Sequence, residues 1–232
     1  MSQDHIIKSY DEELTRLTGE IVRMGEIAAY QLGAAMDVLE RRDTRAAERV
    51  IANDDAIDAL EASVSYDVVQ LLARRQPMAR DLREVLAALR IASAIERIGD
   101  YAANVAKRST ALNRHAPVPA AQDIRTLATL ATELLQQVLV AYRDRDAEAA
   151  DVVRRRDADL DALHTQVFRE LLDDMAREPS TVPSCAHLLF IAKNIERIGD
   201  HATNIAENVW YLVYGEEPTE ERPKSDESSQ IS

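Results

Sequence analysis

The stretch Ile95-Glu96-Arg97-Ile98-Gly99-Asp100-Tyr101-Ala102-Ala103-Asn104-Val105-Ala106 returns as Ile195-Glu196-Arg197-Ile198-Gly199-Asp200-His201-Ala202-Thr203-Asn204-Ile205-Ala206, with three positions changed. A match of that length within one chain reads as internal duplication, and each copy then belongs to one structural unit. Upstream, Asp54-Asp55-Ala56-Ile57-Asp58-Ala59-Leu60 lines up with Asp157-Ala158-Asp159-Leu160-Asp161-Ala162-Leu163. A small length difference is absorbed before the last helix of each half.

Working outward, each half resolves into three helical stretches. Leu14, Leu17, Ile21, Met24, Ala28, Leu32, Ala35 and Leu39 recur at steps of three and four, one apolar stripe of a helix over residues 9–41. Asp43-Thr44 offers a start for a second helix, striped by Val50, Ile57, Leu60, Val64, Val68 and Leu71, which Arg74-Arg75-Gln76-Pro77 stops. A third stripe runs through Leu82, Val85, Leu89, Ala92, Ile95, Ile98, Ala102 and Val105. Pro117 and Pro119 then block continuation. The plan repeats over residues 124–142, 147–177 and 182–214. The expectation is an all-α protein of two pseudo-symmetric antiparallel three-helix bundles built from six long helices. The first bundle spans residues 1–113, a linker 114–120, the second bundle 121–214, and a disordered acidic tail 215–232.

Composition bounds the function. Of the 232 residues 46% are apolar, enough for a core, and only six glycines, seven prolines and 4% aromatics leave a chain of few turns and strong helix propensity. The formal charge of −13 argues against a nucleic-acid binder, which needs clustered Lys and Arg to displace counterions. No apolar run is long enough for a membrane span and the start lacks a signal-peptide core, so a cytoplasmic location is expected. The single cysteine, Cys185, fits a reducing compartment and a packing role.

The repeated motif carries the chemistry. At 100° per residue Glu96, Asp100 and Asn104 fall within about 80° of one another, one line of oxygen-bearing side chains at the edge of the apolar arc. Asp54, Asp58 and Glu61 form a second line on the preceding helix. The second half supplies Asp157, Asp161 and His164 opposite Glu196, Asp200 and Asn204. Facing acidic lines raise carboxylate pKa values unless a cation neutralises them. Metal ligation across facing helices is therefore the sharp reading; solvated helix faces are the bland one. His164 replaces Glu61 and offers a nitrogen that favours a transition metal; His201, in place of Tyr101, projects away from the acidic line. Gly99 and Gly199 sit mid-helix, where glycine costs about 1 kcal/mol relative to alanine. That cost points to a close backbone approach at both copies.

The paired Glu-Arg-Ile-Gly-Asp segments, the run from Asp54 to Glu61, and Arg74-Arg75-Gln76-Pro77 together resemble the PhoU family of accessory regulators of bacterial phosphate uptake, over nearly the whole chain to about Gly215. The resemblance implies two three-helix bundles, a homodimer, and metal clusters on the acidic faces, with iron, zinc, manganese or magnesium (Fe, Zn, Mn or Mg) as candidates. Its Glu/Asp-x-x-x-Asp motifs fall on Asp54 and Asp58, Glu96 and Asp100, Asp157 and Asp161, and Glu196 and Asp200. It also implies a non-catalytic negative regulator that couples the phosphate ABC transporter ATPase subunit to a phosphate sensor histidine kinase, with peripheral membrane association through those partners. His164 and the segment Arg177-Glu178-Pro179-Ser180-Thr181 depart from the family pattern and put equal metal occupancy of the two bundles in doubt.

Two alternatives remain open on the residues alone. A carboxylate-bridged metalloenzyme would typically carry two Glu-x-x-His motifs, whereas this chain has only Asp161-Ala162-Leu163-His164. A metal-free scaffold would simply turn its acidic stripes to water. No phosphate loop, dinucleotide fingerprint or nucleophile with a neighbouring base motif is present. Arg74, Arg75, Arg154, Arg155 and Arg156 are candidates for anion binding or for complementing helix dipoles. Tyr10, Tyr30, Trp210, Tyr211 and Tyr214, near helix ends, are expected to cap the bundle, the alternative being an aromatic patch that docks a partner or the membrane surface. His5, His115 and His187 lie away from either acidic stripe.

Overall fold

The computed structural model describes residues 2–118 and 121–219, and every regular element among them is helical. The elements are α1 (Ser2–Arg41), α2 (Thr44–Ala52), α3 (Asp54–Arg75), α4 (Arg80–Leu112), α5 (Ala121–Asp144), α6 (Ala147–Arg177) and α7 (Val182–Tyr214), with a 3-10 turn Pro179–Thr181 ahead of α7. No helix among the described residues is long and apolar enough to cross a membrane. The expected acidic tail lies outside the described residues beyond residue 219, as does Pro119.

Local chemistry sets the helix ends. Asp43 and Asp146, equivalent positions of the repeat, both cap: their side chains accept from the amides of Ala46 at 3.0 Å and Ala149 at 2.9 Å. α3 stops where Gln76 turns left-handed at φ 46° just before Pro77. α7 has a proline in its first turn and ends at Gly215, whose φ of 80° suits glycine and whose amide donates to the Tyr211 carbonyl at 2.8 Å.

One expectation needs correcting. The second helix, read as continuous, is broken at Asn53 into α2 and α3. Asn53 keeps helical angles (φ −72°, ψ −12°), but the Ala56 amide donates to its carbonyl in a three-residue step, which marks the break. Asparagine competes for backbone hydrogen bonds, and Asp54 and Asp55 then make a favourable first turn for α3. The equivalent position in α6 is Arg156, whose guanidinium reaches Gln137 at 2.8 Å and Glu133 at 3.3 Å on α5, and there the helix runs on. α1 also begins earlier than its apolar stripe, at Ser2.

The first bundle is α1, α2–α3 and α4; the second is α5, α6 and α7. α4 packs along α7 and α1 along α5, so buried residues of both halves form one hydrophobic cluster. Small residues permit the approach: a side-chain carbon on Gly25 of α1 would run into Leu139 of α5. α4 and α7 are antiparallel, because Arg90 stacks on Tyr211, Tyr101 meets His201 at 5.7 Å, and Arg108 lies over Phe190.

Candidate functional site

In the first bundle the two acidic lines do face each other across the α3–α4 seam. A Cβ on Gly99 would lie 2.7 Å from Ile57 Cδ1 and 3.3 Å from Asp54 Oδ1, so glycine lets the α3 carboxylate reach the α4 backbone. Burial pushes the Asp54 carboxyl above its ordinary range; a hydrogen bond from Gln31 opposes this, and the charges of Asp100 and Asp58 add to it. Glu96 is raised for the same first reason, burial, and then by Asp100, Asp58 and Glu61, with Arg97 opposing. The five carboxylates thus feel one another as a crowded group. Arg97 answers part of this, lying 3.4 Å from Glu96 and 3.3 Å from Asp100, and the Ser65 hydroxyl donates to Glu61 at 2.8 Å. The seam is nevertheless open: Asp58 is exposed and Asp54, Glu61, Glu96, Asp100 and Asn104 are half-buried.

The sequence reading missed Gln31. This α1 residue is buried, and its Nε2 donates to Asp54 Oδ1 at 3.2 Å and to the Val50 carbonyl at 3.4 Å. Its signal was present: a polar residue between Ala28 and Leu32, on the buried stripe of α1.

The second seam, α6 against α7, repeats the geometry with opposite exposure. Asp157 is 0%, Asp161 3%, His164 1% and Glu196 5% exposed; Asp200 is half-buried and Asn204 exposed. A Cβ on Gly199 would enter the Leu160 side chain and lie 3.0 Å from Asp157 Oδ1. The covering groups are specific. His164 stands where Glu61 stands and packs near Phe168, with ring centres 6.3 Å apart, and Phe168 occupies the place of Ser65. Lys193 of α7 donates to Glu196 Oε1 at 2.8 Å. His201 lies outside the seam, against Tyr101 of α4, with burial holding its imidazole below the ordinary value and Asp200 opposing.

The first bundle therefore brings Asp54, Asp58, Glu61, Glu96 and Asp100 together, and the second brings Asp157 up to Gly199 of α7, whereas Asn204 is exposed and faces the α4–α7 cleft. Among the described residues, however, no group of three or more His, Cys, Asp and Glu side chains converges as a ready metal cage. Four of the five arginines singled out by sequence are held by acids: Arg75 by Glu13 at 2.8 Å, Arg154 at 3.0 Å and Arg155 by Asp151, and Arg156 by Glu133. Trp210 and Tyr214 pack together at 4.6 Å, and the Tyr214 hydroxyl donates to Glu148 at the start of α6, while Tyr30 stands exposed. His115 and His187 lie 5.9 Å apart, ring to ring.

Both seams fall within stretches matched by the family model described as the PhoU domain, at residues 21–109 and again at 124–209. The chain belongs to the PhoU family. A phosphate-specific transport system accessory protein PhoU homolog of Xylella fastidiosa is 57% identical over 98% of this chain and 96% of its own length. The Rhizobium meliloti homolog of the same description is 43% identical over 100% of this chain and 98% of its own. The crystal structure of PhoU from Pseudomonas aeruginosa, 32% identical, superposes with a TM-score of 0.85 and covers 89% of this chain and 100% of that one. The two homologs are accessory proteins by description, and the all-helical PhoU architecture is the fold of this chain.

Proposed function

We propose that this PhoU-family chain is a non-catalytic negative regulator of phosphate uptake, acting in the cytoplasm as a homodimer. In this reading it couples the ATPase subunit of the phosphate ABC transporter to the phosphate sensor histidine kinase, and meets the membrane only through those partners. The observation that carries the reading is the near full-length identity to accessory proteins of the phosphate-specific transport system, across both repeats. The long helical faces of α4 and α7, edged by arginines, offer docking area of the kind an adaptor uses. Deletion of the chain should raise phosphate-responsive transcription in phosphate-replete cells, and affinity capture from such cells should recover the ATPase and the kinase. Unchanged transcription together with capture of neither partner overturns the proposal.

The acidic seams support a metal-binding role within that function. The donor chemistry fits: an oxygen-only set at Asp54, Asp58, Glu61, Glu96, Asp100 and Asn104 suits a hard divalent ion, and His164 beside Asp157 and Asp161 adds a nitrogen for a transition metal. The raised carboxyls of Asp54 and Glu96 are what a bound cation would relieve. Elemental analysis of purified protein, with thermal melts in added manganese, zinc, iron or magnesium, tests it. Binding should raise Tm in the parent and less so in Glu96→Ala; no metal and no shift with any of the four overturns the metal reading and leaves the adaptor reading standing.

A further inference from the structure

The α4–α7 junction carries a cleft beside the seams, which it meets at Arg97 and Asn204. Between these helices lies a cleft of about 780 Å³ lined by Arg90, Arg97, Ser93, Asn208 and Tyr211, and also by Glu217 and Pro218 from the segment that follows α7. That segment is aimed there by the backbone. Gly215, in the left-handed conformation at φ 80°, reverses the chain off α7 and packs against the Arg83 guanidinium of α4, where a Cβ would meet Cζ at 3.1 Å. Arg83 Nε is buried with no hydrogen-bond partner.

We propose that the arginine-lined groove between α4 and α7 is a binding surface for an extended acidic peptide, and that the segment of this chain beginning at Glu216 is the peptide that occupies it. The charge fits. In a chain of net charge −13, the segment carries Glu216, Glu217, Glu220, Glu221, Asp226 and Glu227 against Arg222 and Lys224, so most of the surface repels it. The groove instead presents Arg90 and Arg97, and further along the same antiparallel pair Arg197 over Tyr101 and Arg108 over Phe190. The spacing fits too. Arg90, Arg97 and Arg108 are separated by about 10 and 16 Å along a helix rising 1.5 Å per residue. From Glu217 to Glu220 and on to Asp226 an extended chain covers about 10 and 20 Å. Glu217 already lies at the Arg90 end, so occupancy of the groove as proposed would bring the later carboxylates toward Arg97 and Arg108. Arg97 is more than half exposed and holds Glu96 and Asp100 only at 3.3 to 3.4 Å, leaving donors for a third carboxylate. Glu207 also lines the cleft and sets an acidic limit to it.

Pulsed electron-spin distance measurement on the full chain tests this. Nitroxides are placed at Lys107→Cys on α4 and Ser228→Cys, and Cys185, fully buried, does not compete for the label. The expected result is a short, narrow distance population that becomes broad when Arg90→Glu and Arg97→Glu are introduced together, with helicity by circular dichroism unchanged. If that pair does not fold, Arg90→Gln with Arg97→Gln takes its place. A broad population in the parent overturns the proposal, and so does a narrow one that the arginine substitutions leave unchanged.

Discussion

The first and second bundles carry the same acidic motif at equivalent places, yet one seam is open and the other closed. In the α3–α4 seam Glu61 is half-buried and accepts from Ser65; in the α6–α7 seam Asp157, Asp161 and His164 are all buried, with Phe168 beside His164. In the open seam like charges are tolerated because water and Arg97 screen them. In the closed seam a carboxylate needs a neutral or cationic neighbour, which is what His164 and Lys193 supply. A duplicated motif thus preserves spacing, while burial follows from the residues that cover it.

Exchanging the covering residues tests this most severely. His164→Glu adds a fourth buried carboxylate to Asp157, Asp161 and Glu196 in the closed seam and should cost about 3 kcal/mol in urea denaturation, against less than about 1 kcal/mol for Glu61→His in the open one. Equal costs would erase the distinction. Next come the glycines. Alanine at a helix interior gains about 1 kcal/mol over glycine, but overpacking a tight site costs about 1 to 3 kcal/mol. Gly199→Ala, colliding with buried Leu160 and close to Asp157, should destabilise by about 1 to 2 kcal/mol; Gly99→Ala should come out nearer balance, measured by the same midpoints.

A smaller contrast lies near the start of α6. Burial would raise the Asp151 carboxyl, but hydrogen bonds from Arg155 and Arg154 outweigh it and hold the group below its ordinary range, whereas the equivalent Glu48 is exposed. A depressed folded-state pKa gives stability that is present above the unfolded-state value of about 4 and is lost as pH falls through the folded value. Stability measured from pH 5 down to about 2 should therefore decline by on the order of 1 kcal/mol more in the parent than in Asp151→Asn, with no such difference for Glu48→Gln. The smallest expected effect is Asp58→Asn in the open seam, within about 0.5 kcal/mol of the parent at neutral pH.

Much of this architecture was legible in the chain. The stripes placed the helical rods, Asp43 and Pro77 marked ends that the structure keeps, and the mid-helix glycines announced the close approach that the structure has at Gly99 and Gly199. Three features were not. Periodicity tells which face of a helix is apolar but not which helix covers it, so the pairing of α4 with α7 and α1 with α5 was hidden. The break at Asn53 turns on a single three-residue hydrogen bond within an otherwise helical pattern. The burial of Asp157 and Asp161 depends on packing from other helices, such as the close approach of α7 at Gly199, whereas their wheel positions match those of Asp54 and Asp58.

The single hydrophobic cluster spanning both halves has a thermodynamic consequence. Two bundles with separate cores would melt in two steps, each blind to the other; a common core makes them one cooperative unit. Anything that binds one seam in the folded state then protects the whole chain by mass action, and an injury to the closed seam loosens the open one. The duplication, twofold in sequence, is single in its free energy.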